Sequence, residues 1–276
     1  MSVNNLGWLV SEEDEKRIQS FSLMDDDFFS EVFDGDTDAL EYLLNVILQR
    51  NDIEVIDVKT QVEYHSAGRR SITLDVRAID KTGKIYDVEV QRSEGGASPR
   101  RGRVHSSMID RTLLKKGQDF DEIADAYVIF ITEFDKYELG KPMYHVERRV
   151  EEKDLEPYGD GSYIIYVNGE FRDTEHPIGK LMHDFNCTKA DDMLSPVLAK
   201  GVRYYKETEG GRAKLCKKME DMRNESAVKA TIVAYDEVGI KDEAEIITRL
   251  QKRFQFVTPE TVKRYMGQLR ESAVIR

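Results

Sequence analysis

The chain has 276 residues, 40% of them hydrophobic, and a formal net charge of −12. That is enough apolar material for one large domain, or one domain with a smaller helical appendage, and no apolar run approaches the roughly 18 to 20 residues needed to span a bilayer. The acidic balance excludes a surface coated for DNA binding, Met1–Asn5 lacks a basic segment ahead of an apolar one, and the two cysteines, Cys187 and Cys216, form no CxxC pair, so a cytoplasmic protein with free thiols is expected.

Between residues 24 and 50, Phe28, Phe29, Val32 and Phe33, then Leu40, Leu43, Leu44, Ile47 and Leu48, recur at helical spacing, which predicts two amphipathic helices around Asp34-Gly35-Asp36. Residues 53–65 read as a first strand. The run 71–91 reads as a hairpin, with Gly95–Pro99 as a flexible loop before a basic helix terminated by Gly117. Ala126–Thr132 is a continuous β-rich apolar run, typical of a strand buried on both faces. Tyr163–Gly169 resembles another strand and turn, and residues 190–225 look helical and charged. Ile246, Ile247, Leu250 and Phe254, then Thr258-Pro259-Glu260 ahead of Val262, Tyr265, Met266 and Leu269, predict two short helices. They carry no basic recognition face, which favours a packing or dimerisation appendage over a DNA-reading unit. The order of elements is that of an α/β fold with a crossover helix leading back into a mixed sheet.

The hairpin holds the most chemistry. Ile72, Leu74, Val76 and Ala78 share one face with Tyr86, Val88 and Val90, leaving a polar face opposite. A three-residue loop, Lys81-Thr82-Gly83, makes Asp80 and Lys84 the flanking pair, so that Arg77 faces Asp87, Asp75 faces Glu89 and Thr73 faces Gln91. The first is a favourable opposite-charge pair. The second puts like charges about 5 Å apart, which destabilises a sheet unless something positive sits between them. A hard divalent cation such as magnesium suits two carboxylates with a neighbouring amide, although such residues also occur on ordinary solvated faces. Lys84 and Arg92 alternate onto the face opposite Gln91. From Gln91 to Gly117, Arg92, Arg100, Arg101, Arg103, Arg111, Lys115 and Lys116 stand against Glu94 and Asp110, a local balance of +5 where a phosphate backbone would pass. His105 lies near the start of this helix, where it could touch phosphate or water, or simply pack.

These residues also carry a resemblance. Asp75, then Glu89-Val90-Gln91, resembles the metal-binding core of the PD-(D/E)XK nuclease superfamily, with glutamine where the name has lysine. Leu74–Ala78, Tyr86–Gln91, His105–Asp110, Leu114–Gly117, the opening run Met24–Asp36 and the later Pro177–Asp184 together look like the Rpn-type recombination-promoting nuclease and transposase family, over roughly residues 20 to 225. The resemblance implies a restriction-endonuclease-like core, a central mixed β-sheet flanked by helices, over residues 20–225, with residues 226–276 as a C-terminal helical appendage. It implies a DNA endonuclease linked to recombination or mobile-element activity. Asp75 and Glu89 would hold Mg2+, or Mn2+ in its place, and Gln91 would position the attacking water. Asp26 matches the family's acidic position on the first helix and is preferred to Glu31. Arg100, Arg101, Arg103, His105, Arg111 and Lys115 are expected to contact DNA. The alternatives are an inactive nuclease-like binding module and a homodimeric interaction protein whose acidic face is merely solvated.

Overall fold

The computed structural model describes residues 11–66, 69–114 and 117–272. Met1–Asn5, Lys115 and Lys116 lie outside them. The first helix, α1 (Glu12–Ser20), has no apolar periodicity, burying Ile18 alone, and begins where Ser11 accepts the Asp14 N–H. Then α2 (Asp26–Phe33) and α3 (Thr37–Ile47) follow as the spacing requires, turning at Gly35 with φ of +69°. Their apolar faces, Phe28, Phe29, Val32 and Phe33, then Leu40, Leu43, Leu44 and Ile47, are all buried.

Strands β1 (Val55–Ser66), β2 (Arg69–Asp80) and β3 (Ile85–Gln91) come next. The β2–β3 loop turns at Gly83 with φ of +87°, the Asp80 N–H donates to the Lys84 carbonyl at 3.1 Å, and Arg77 pairs with Asp87 across the ladder. This is the register that keeps the apolar face intact. Helix α4 (Pro99–Leu113) crosses to β4 (Ala126–Thr132), which lies parallel to β3. Beyond it come β5 (Met143–Val146), the two-residue ladder of β6 (Arg149–Val150) with β7 (Glu156–Pro157), and β8 (Ser162–Asn168), which is parallel to β4. The main sheet is mixed and six-stranded, in the order β1-β2-β3-β4-β8-β5, and helices flank it as a restriction-endonuclease-like α/β core requires.

One alternative and two expectations are corrected. The polar face of β3 is not solvated: Asp87 and Glu89 are both 0% exposed. Arg77 and Asp87 share a register position, yet Arg77 lies 3.6 Å from Asp57 while His105 takes the Asp87 carboxylate. Instead of a flexible loop, residues Glu94–Ala97 form a 3₁₀ turn with Ala97 fully buried, Ser98 caps Arg101, and α4 ends at Leu113 before Gly117 is reached.

Helices α5 (Pro177–Asn186) and α6 (Pro196–Glu207) pack on α2 and α3. Lys206 of α6 is buried, its ammonium donating to the carbonyls of Gln19, Phe21 and Thr188, and it lies over the Phe28 ring. A long α7 (Glu209–Glu237), α8 (Glu243–Arg253) and α9 (Pro259–Glu271) complete the chain. Two compact units result, one built from the chain to Val62 and Thr73–Arg212, the other from Glu63–Ile72 and the chain from Ala213. Val228 and Ile232 of α7, Ile246 and Leu250 of α8, and Val262 and Met266 of α9 form the core of the second unit, and Thr258 caps α9 at Thr261. No helix among the described residues is long and apolar enough to cross a membrane.

The seating of α4 on the sheet depends on Gly102. A Cβ there would lie 3.0 Å from Ile164 Cδ1 and 3.2 Å from Phe130 Cε2, tight contacts that any larger side chain would make worse. Gly102→Val should therefore destabilise the protein by about 1–3 kcal/mol through overpacking, read as a lower urea midpoint at unchanged slope.

Candidate active site and metal centre

The site forms where α4 lies over the end of β3. Alternation puts Asp87 and Glu89 on one face of the strand. Helix α4, started by the Ser98 cap and Pro99, puts Arg101 and His105 one turn apart on the face that meets them. His105 Nδ1 lies 2.8 Å from Asp87 Oδ2, and Arg101 Nε donates to His105 Nε2 at 3.2 Å. Arginine can only donate, so Nε2 must accept and the imidazole proton sits on Nδ1, facing Asp87. His105 is thus a neutral imidazole, as its burial also favours. Arg101 Nη2 reaches Glu89 Oε2 at 2.8 Å, while Glu89 Oε1 accepts the Asp75 backbone N–H at 3.0 Å. Gln91 Nε2 approaches Glu89 Oε2 at 3.4 Å.

Two oxygens of this cluster, Asp75 Oδ2 and Asp87 Oδ1, are buried without a hydrogen-bond partner. Burial pushes Asp87 up to about 8. It also raises Asp75 and Glu89, each further raised by a neighbouring carboxylate, Glu89 acting on Asp75 and Asp87 on Glu89. A buried, oxygen-only, charge-deficient set of this kind fits a hard divalent cation. Asp87, Glu89 and His105 also present ligand atoms within 4.8 Å of one another.

Asp75 opens onto a cleft of about 340 Å³ that is also lined by Asp26, Gln91, Arg92, Ser93 and Arg101. Asp26 is exposed at the start of α2. That helix end is tied to the end of β3 by Arg92, which bridges Asp25 at 2.8 Å and Glu133 at 3.2 Å. Arg92 therefore reaches the cleft, contrary to simple alternation, because β3 ends at Gln91 and the chain turns there. Lys84 is held by Asp125 at 2.8 Å, at the loop end of the hairpin. Gln91 rests against Gly96, where a Cβ would fall 1.9 Å from its Oε1. Glu31 points elsewhere, 3.5 Å from Tyr205 Oη.

Residues 24–175, more than half of the chain, match the sequence model of the PD-(D/E)XK nuclease family transposases. The chain belongs to that family. No curated protein and no solved structure matches it. All of the carboxylates described above, together with Gln91, Arg101 and His105, lie inside the family's range, whereas α5 to α9 lie beyond it.

In this member of the family, Asp26, Asp75 and Gln91 line one cleft, and Glu89 lies against Asp75 and Gln91. Arg101 and His105 turn inward onto the carboxylates, Arg101 also lining the cleft, and His105 is only 2% exposed. Arg100, Arg103 and Arg111 are exposed along α4, and Lys115 lies outside the described residues. Asp87 is the residue that sequence reasoning missed. Its position two before Glu89 on one strand face was the available signal, obscured because Arg77 opposite already accounted for it.

The raised carboxyls set a pH dependence. Each binds its proton more tightly in the folded chain, so their contribution is complete below the ordinary carboxylate range near 4 and is lost as pH rises through about 7 for Glu89 and about 8 for Asp75 and Asp87. In chelator, the thermal midpoint should fall over that interval. The fall should be smaller in Glu89→Gln, and magnesium should oppose it increasingly as pH rises, because metal binding releases the protons.

Proposed function

We propose that the chain is a metal-dependent DNA endonuclease that hydrolyses phosphodiester bonds, with the recombination or mobile-element role of its family and a nuclease-like domain over roughly residues 20–225. The observation that carries this reading is the unpartnered Asp75 Oδ2 buried beside Glu89 at the wall of an open cleft. Asp75 and Glu89, with Asp87 behind them, would hold magnesium, or manganese in its place. Such an ion supplies Lewis acidity and a bound water of lowered pKa. The remaining roles belong to the chain. Gln91, positioned against Gly96, offers an amide to orient the attacking water. Asp26 offers an exposed carboxylate in the same cleft to receive its proton. Gln91 carries no charge where the superfamily has lysine, and the Arg101 guanidinium provides one from α4 instead. Arg100, Arg103 and Arg111 lie along the same helix, where a phosphate backbone would run.

A second reading is favoured by one contact. Arg101 already neutralises Glu89 at 2.8 Å, as a cation would, and a chain that kept it there would be a nuclease-like binding module without cleavage.

Cleavage of supercoiled plasmid separates the two. Wild type should nick in magnesium or manganese and not in chelator. Asp75→Ala and Glu89→Ala should each lose several kcal/mol of transition-state stabilisation, at least about a hundredfold in rate, with circular dichroism unchanged. DNA binding by folded wild type that is indifferent to magnesium and to Asp75→Ala, without cutting, would leave the binding module. Arg101→Gln provides a further check: it should bind magnesium more tightly, because a competing cation is gone, yet cut more slowly.

A further inference from the structure

Away from the carboxylate site, the C-terminal turn of α5 gathers His183, Asp184 and Cys187, whose ligand atoms all lie within 4.8 Å of one another. His183 Nδ1 is 3.1 Å from Asp184 Oδ1 and 3.7 Å from Cys187 Sγ. One imidazole nitrogen thus faces both groups, and Cys187 Sγ also lies 3.6 Å from the Asp192 carbonyl. Zinc bonds of about 2.3 Å to sulfur and about 2.0–2.2 Å to nitrogen and oxygen give tetrahedral edges of roughly 3.6 Å for S···N and roughly 3.3 Å for N···O. The observed separations match both.

The surroundings hold the set in place. Asp184 is fully buried, and its two oxygens accept the backbone N–H groups of Leu194 at 2.7 Å and Ser195 at 2.8 Å, which orients the carboxylate while leaving lone pairs available. His183 and Cys187 stand four apart, one helical turn. The His183 side chain is 38% exposed, which leaves a route for a cation and its water. From these observations we infer that His183, Asp184 and Cys187, all at the end of α5, bind a zinc-class cation with water as the fourth ligand. Thiolate and imidazole donors select such an ion over magnesium, which the all-oxygen site would take.

Cobalt(II) is the probe. Full-length chain, reduced and stripped with chelator, is titrated anaerobically with Co2+ in excess magnesium. One equivalent should bind with a thiolate-to-cobalt charge-transfer band and tetrahedral visible bands, and zinc should displace it and raise the thermal midpoint. Cys187→Ser should lose the band and the zinc-dependent midpoint gain, whereas Cys216→Ser and Glu89→Gln should keep both. His183→Ala, a partly exposed change that leaves the fold alone, should weaken cobalt binding by at least about tenfold. A folded wild type without the charge-transfer band, a band that follows Cys216 instead of Cys187, or unchanged affinity in His183→Ala would overturn the assignment.

Discussion

The cost of burying carboxylates organises this protein. Asp75, Asp87 and Glu89 sit on two adjacent strands, and Asp87 and Glu89 have no access to water. Such a group is costly unless compensated by charge or hydrogen bonds. Most of the compensation comes from one element. Helix α4 contributes a neutral histidine to Asp87 and a guanidinium to Glu89, and the Asp75 backbone N–H completes Glu89. Anything that lifts α4 from the sheet exposes an uncompensated cluster, so the bare surface of Gly102 is an electrostatic requirement as well as a packing one.

The same arrangement links structure to chemistry. A charge-deficient cluster that is fully paired would be inert, whereas here two oxygens remain unpaired and one cation, Arg101, is only partly buried at the cleft. Around it, the helix bearing Asp26 is anchored through Asp25 and Arg92 to the strand bearing Gln91. The two walls of the cleft are therefore fixed to each other by an ion pair instead of being left to loop geometry.

Local periodicity made much of this legible. The β2–β3 register followed from an alternating pattern and a glycine-ended loop, the strand at Ala126–Thr132 from unbroken β-branched and aromatic residues, and α9 from Thr258-Pro259. What escaped were features decided by a distant partner. The burial of Asp87 depends on a helix that crosses the strand, and nothing within the hairpin shows which polar face will be covered. Arg101 and His105 read as a basic surface because their spacing, one turn apart, suits solvent and a carboxylate cluster equally. Helix α1 and the four-residue β5 lack the apolar repeat that announces an element.

Lys206 also bears on how the chain is made. Its ammonium closes onto the carbonyls of Gln19 and Phe21, sequence separations of 187 and 185 residues. The β2–β3 hairpin is a short-range structure that can form early, but the segment at residues 19–21 has no such buried cation until residue 206 has been synthesised. Long-range closures of this kind come late and slow folding. The segment at residues 19–21, synthesised well before residue 206, is thus among the last to find its place.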